Sequence, residues 1–102
     1  MKNRRWVQCD AEILVPRRRE DVLEEELDNE TILFDPSSGQ IHRLNETATI
    51  VWSFCEGDTT TRQIAGQMTQ AYEVEFETAL DYVEQLIAWL AQSELLKLRA
   101  TS

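Results

Sequence analysis

Histidine, cysteine and glycine are all scarce in this 102-residue chain, which has one His, two Cys and three Gly. The cysteines, Cys9 and Cys55, stand 46 positions apart and form no Cys-x-x-Cys. With His42 as the sole histidine, neither a zinc site nor a disulfide framework has the residues it needs. Gly39, Gly57 and Gly66 are too scattered to build a phosphate-cradling loop. No stretch approaches the roughly 18 to 20 uncharged apolar residues of a membrane span. The opening, Met1 to Trp6, runs into polar residues rather than the apolar core of a signal peptide. A soluble, cytoplasmic chain with no membrane segment is expected.

Positive charge is also scarce, and unevenly placed. The net charge of −9 conceals a first 19 residues with six basic and two acidic groups (+4), and residues 20 to 102 with four basic and seventeen acidic groups (−13). Such an acidic body repels phosphate backbones, because nucleic-acid binding draws most of its affinity from Lys and Arg neutralising phosphates. The start, residues 1 to 17, reads as a basic extension that is partly ordered at most, with one short extended piece from Glu12 ended by Pro16.

The catalytic inventory is thin. No nucleophile–base pair is evident, and the serines and threonines sit mostly at turns and caps, where their hydroxyls serve the backbone. Glu24, Glu25 and Glu26 alternate faces on a strand and lack the spacing of a calcium loop. No catalytic residue, metal or cofactor is therefore assigned, and an enzyme acting alone is not expected.

What is present is a 42% hydrophobic content. It is enough for one domain, taken as residues 18 to 102, that buries roughly 60 to 70% of its unfolded surface. Leu23 and Leu27 flank three glutamates, Asp28-Asn29 tolerates the positive φ of a tight hairpin, and Thr31 to Phe34 is rich in strand formers. Pro36 to Gly39 makes a second turn and Gln40 to Leu44 a third strand. Two short turns give an antiparallel meander, order 1-2-3, with the first and third strands at its edges.

Three helices follow. Asn45 is placed to cap the first, whose apolar stripe is Ala48, Val51, Trp52 and Cys55, with Gly57 as its stop. Thr60 to Gln63 has capping-box form and opens a helix with Ile64, Ala65, Met68, Ala71 and Tyr72 on one face. The third helix is the most regular. It carries Phe76, Leu80, Val83, Leu86, Ile87 and Leu90 along one side and Glu75, Glu77, Asp81 and Glu84 on or near the wet one. No Gly or Pro marks its end through Ser93 to Leu98, and Tyr82 and Trp89 lie at the margin of its stripe.

The ordered set Leu33-Phe34-Asp35, Gly39 to Trp52, Glu56-Gly57, Thr60 to Ala65, Tyr72 to Val74 and Val83 to Leu90 resembles the PqqD family over about residues 18 to 98. Its most specific part is Arg43-Leu44-Asn45-Glu46-Thr47-Ala48 with Trp52 and the segment Gly57 to Ile64. Two departures stand out. Members commonly carry Gly-Leu-Leu after the last helix where this chain has Glu94-Leu95-Leu96, and residues 1 to 17 lie outside the common pattern.

The resemblance implies an α+β, winged-helix-like domain, a three-stranded antiparallel sheet packed on three helices. It further implies a peptide chaperone that binds the leader of a ribosomally made precursor peptide and presents it to a modifying enzyme, often a radical-SAM maturase. A disordered leader would add a strand to the edge Gln40, Ile41, His42, Arg43 and Leu44, beside an apolar groove for which Ile41 and Arg43 are the strand candidates and Tyr82, Val83 and Leu86 the helix candidates. Two other readings stay open. One is a scaffold in which the same edge pairs with a second copy as a homodimer. The other is a DNA-binding winged helix, which would turn Glu75, Glu77, Asp81 and Glu84 toward phosphate.

Overall fold

The tightest local instruction in the chain is Asp28-Asn29. In the computed structural model, which describes residues 14–100, both residues take positive φ, 53° and 69°, as a two-residue hairpin of the twist-matched kind requires. It joins β2 (Leu23–Leu27) to β3 (Glu30–Asp35), with Leu27 opposite Glu30. The Pro36–Gly39 turn, where Gly39 adopts φ 77° and its N–H donates to the Asp35 carbonyl at 2.7 Å, joins β3 to β4 (Gln40–Leu44). The order is β2-β3-β4, so the expected meander is the one formed.

The helices begin where their caps predict. Asn45 Oδ1 accepts from the Ala48 N–H at 2.9 Å at the start of α1 (Glu46–Ser53). Thr60 and Gln63 exchange both bonds of a capping box at the start of α2 (Thr61–Tyr72). The third helix, α3, runs Phe76–Gln92. Leu33, Leu44, Val51, Trp52, Ile64, Val83 and Leu90 form the core between sheet and helices. Full burial contributes about 1.5 to 3 kcal/mol for each large apolar side chain.

Several expectations change. The first helix ends at Ser53, so Cys55 is buried in the following loop rather than on its stripe, and Ala71 and Tyr72 of α2 are exposed. The largest change is an unexpected second sheet: β1 (Leu14–Arg18) pairs antiparallel with β5 (Leu96–Ala100). Strand β1 passes through Pro16, which the sequence reading took as an end. It carries the folded unit back to Leu14, ahead of the residue-18 boundary, while residues 1–13, with Cys9, lie outside the described residues. Gly57, at φ 90°, holds the α1–α2 connection against β1, its N–H donating to the Pro16 carbonyl at 3.0 Å. A Cβ there would meet the Arg17 guanidinium at 3.1 Å.

Glu94 explains how α3 ends without glycine. It takes the left-handed conformation, φ 62°, with Glu94 N–H on Ala91 O at 3.0 Å and Leu95 N–H on Leu90 O at 2.9 Å. This is the Schellman arrangement with a Cβ where glycine is favoured, and Leu90 and Leu95, both fully buried, make its apolar contact. The turn sends the chain back as β5.

One side chain locks these parts together. Arg19 donates to both oxygens of Asp35 at 3.1 and 3.2 Å, to both of Asp21 at 3.0 and 2.7 Å, to Ser37 Oγ at 3.0 Å and to the Glu94 carbonyl at 2.9 Å. The Arg19 hydrogen bonds, with help from Ser37, hold the Asp35 carboxyl down to about 2.

Replacing Glu94 with Gly removes the left-handed strain and should stabilise the fold by about 0.5 to 1 kcal/mol, net of glycine's larger unfolded-state entropy, raising Tm by roughly 3 to 6 °C in a thermal melt. Because the folded Asp35 pKa lies below its unfolded value, the pairing contributes above about pH 4 and is lost as pH falls toward 2. Melts from pH 6 to pH 2 should show Tm falling over that window, and less steeply in Asp35→Asn, which starts lower.

Candidate functional site

Strand register decides which main-chain groups of the sheet are uncommitted. In the two-residue hairpin the closing pair Leu27–Glu30 exchanges both hydrogen bonds, and successive residues of a central strand address opposite neighbours. Glu30, Ile32 and Phe34 therefore bond to β2, and Thr31, Leu33 and Asp35 bond to β4, through their partners Leu44, His42 and Gln40. This leaves the N–H and C=O groups of Ile41 and Arg43 directed to the open side of β4. Among the described residues no strand pairs there.

Side chains divide differently from main chain. Directly opposed residues share a face, so Gln40, His42 and Leu44 look toward the helices with Leu33 and Thr31, whereas Ile41 and Arg43 look away with Phe34 and Ile32. Ile41 is 68% exposed. Arg43 Nη2 pairs with Glu30 Oε1 at 2.6 Å on that outer face. Ile41 and Arg43 thus belong to the edge by main chain, and their side chains do not enter a groove facing α3.

The side of α3 that meets β4 is aromatic. Tyr82, Leu86 and Trp89 recur at i, i+4 and i+7, so they line one flank of α3 beside its core-facing stripe. Tyr82 is 36% and Trp89 42% exposed, and Leu86 is half-buried. The His42 ring meets Trp89 edge-on, centroids 5.6 Å apart, which fixes β4 against this flank. His42 Nε2 is buried there without a hydrogen-bond partner. Burial, with Tyr72 nearby, raises the Tyr82 phenol above its ordinary value. Val83 and Leu44 are buried core residues.

Of the sequence candidates, Tyr82 and Leu86 share one flank of α3, and β4 meets that flank through the His42–Trp89 contact. Trp89 belongs to the same flank as a seventh-position neighbour of Tyr82, a spacing that marked it as marginal without adding it to the candidates. Elsewhere, a cleft of about 350 Å³ is lined by Arg17, Arg18, Arg19, Glu20 and Glu56 among others. Its arginines are engaged, with Arg17 on Glu20, Arg18 on Glu24 and Glu56, and Arg19 on its aspartates. Burial pushes the Cys55 thiol up to about 12, so it stays protonated. Among the described residues no group of three His, Cys, Asp or Glu side chains could hold a metal ion, and no helix is long and apolar enough to cross a membrane.

A three-stranded antiparallel sheet on three helices, with a free strand edge beside an aromatic helix flank, defines a winged-helix-like α+β domain. Residues 30–96 match the family model described as coenzyme PQQ synthesis protein D, and the chain belongs to that family, PqqD. Its fold is similar to that of TbiB1, solved in complex with the TbiA(beta) leader peptide (TM-score 0.75, 22% identity, covering 83% of this chain and 99% of that one). It is also similar to lasso peptide synthetase B1 complexed with the leader peptide (TM-score 0.73, 24% identity, 80% and 96% covered). A third likeness is to the PqqD truncation of Methylobacterium extorquens PqqCD, a functional stand-alone recognition element for ribosomally synthesised and post-translationally modified peptides (TM-score 0.68, 26% identity, 81% and 88% covered). No curated protein sequence matches the chain.

Trp89 is exposed enough that Trp89→Ala should lower stability by only about 1 kcal/mol, whereas Leu90→Ala, one position on and fully buried, should cost about 2 to 5 kcal/mol in denaturant unfolding.

Proposed function

We propose that this chain is a non-catalytic peptide chaperone. It binds the leader segment of a ribosomally made precursor peptide by strand addition on β4 and presents the precursor to a modifying enzyme, such as a radical-SAM maturase. The observation that carries this reading is the uncommitted main chain of Ile41 and Arg43 on the strand whose His42 meets Trp89 of α3. An extended guest pairs its backbone with these groups, and its alternate side chains enter the groove walled by His42 and Trp89. Membership of the PqqD family, and the leader peptides bound to structures of the same fold, support the same guest.

The magnitudes favour a moderate binder. Ordering a disordered leader costs about 2 to 5 kcal/mol of the gross interaction energy, so an affinity on the order of micromolar is expected, about −8 kcal/mol. The acidic body attracts leaders with basic residues, an effect that salt screens.

The test is titration calorimetry with synthetic leader peptides of PqqD-family precursors. Ile41→Pro removes one outward N–H and places a ring on the edge. It should weaken leader binding roughly tenfold, the equivalent of about one lost main-chain bond and its clash, with an unchanged circular dichroism spectrum. Trp89→Ala should weaken it through the groove. Unaltered affinity in both variants would sink the strand-addition reading.

A further inference from the structure

We propose that the outer face of the β2–β3–β4 sheet is a second, separate docking surface, one that receives the modifying enzyme through an apolar patch rimmed by lysine or arginine. This rests on the chaperone reading above and adds the place where the enzyme sits.

Leu23 lies directly opposite Phe34, and Phe34 directly opposite Ile41, so the three form one row across all three strands on the side away from the helices. Leu23 is 59% exposed, Ile41 68%, and Leu27, at the tip of the same face, 55%. A strand face meant only for water would place polar residues at these positions. β2 shows that the sequence has them available, because its intervening residues are all glutamate. Contiguous exposed apolar rows of this kind mark interaction sites.

Charge selects the occupant. The same face carries Glu25 and Glu30 against a single cation, Arg43, which already pairs with Glu30. Glu24 and Glu26 flank it, and residues 20 to 102 as a whole carry −13. A second copy would bring this acidic rim against itself. A partner with an apolar centre and a basic rim would meet its complement.

Continuity with the leader edge gives the arrangement a purpose. Ile41 offers its main chain to the guest strand and its side chain to the outer face. A leader seated on β4 therefore prolongs the outer face by one strand, and those of its side chains that alternate away from the groove lie beside the docked enzyme. Leader and enzyme then bind together without competing for one surface.

The experiment measures binding of the 102-residue chain to a radical-SAM maturase, the partner proposed above, by surface plasmon resonance, with leader affinity as an independent readout. Leu23→Arg changes an exposed side chain on the strand farthest from the leader edge. It should weaken enzyme binding roughly tenfold or more and leave leader affinity within about twofold. Glu25→Lys should weaken enzyme binding at low salt, with the difference fading as salt rises. Should Leu23→Arg fold poorly, Leu27→Arg makes the same test at the wing tip. Enzyme affinity equal to wild type in these variants overturns the proposal, as does a concentration-dependent dimer in light scattering that Leu23→Arg abolishes, since the occupant is then a second copy. A wild type that binds the enzyme but no leader overturns the chaperone reading alone.

Discussion

Arg19 is the interaction on which the arrangement of this fold depends. It follows β1 and joins the β3–β4 turn, through Asp35 and Ser37, to the end of α3, through the Glu94 carbonyl. Its backbone N–H adds a bond to Leu95 O at 3.0 Å. Asp35 is only 6% exposed at its side chain, so the carboxylate is tolerable there because a forked, always-charged donor satisfies both oxygens. With that donor removed, a nearly buried anion is left uncompensated. The turn that positions β4 and the turn that ends α3 are therefore held by one guanidinium, and β4 and α3 are the two walls of the candidate site.

This rigidity makes an open edge useful. Unpaired strand edges invite unwanted pairing, and proteins guard them with short length and charge. Here β4 has five residues and carries Arg43 beside its opening. The His42–Trp89 contact holds the edge strand against the helix, so a guest strand added there, as proposed, would meet an ordered edge rather than one it must assemble. Preorganisation of that kind offsets part of the cost of ordering the guest. The proposed roles are thus separated in space: a core that holds shape, an edge that offers main-chain groups, and an outer sheet face that offers apolar side chains.

Much of this was legible in the residues because the signals are local. Asp28-Asn29, Gly39, Asn45 and the Thr60–Gln63 box each determine a turn or cap within four residues, and each appears where its chemistry predicts. The pairing of β1 with β5 was not legible, since it joins segments about eighty residues apart and neither announces itself. β1 contains Pro16, and Leu96–Ala100 continues the helical sequence without a breaker. Glu94 hid the break because a glutamate in the left-handed region is held there by the surrounding bonds and not by its own preference.

By itself the sequence determined the meander, the three helices, two of them with side-chain caps, the acidic body and the family, since hydrophobic period and turn chemistry act over a few residues. Only the tertiary structure decided which side of β4 each group serves. Register with β3 sends the main chain of Ile41 and Arg43 outward and their side chains away from the groove, and only the packing of α3 against His42 brings Trp89 to the site. A strand's periodicity assigns two faces without naming them, and the choice between them comes from what the rest of the chain buries against one side.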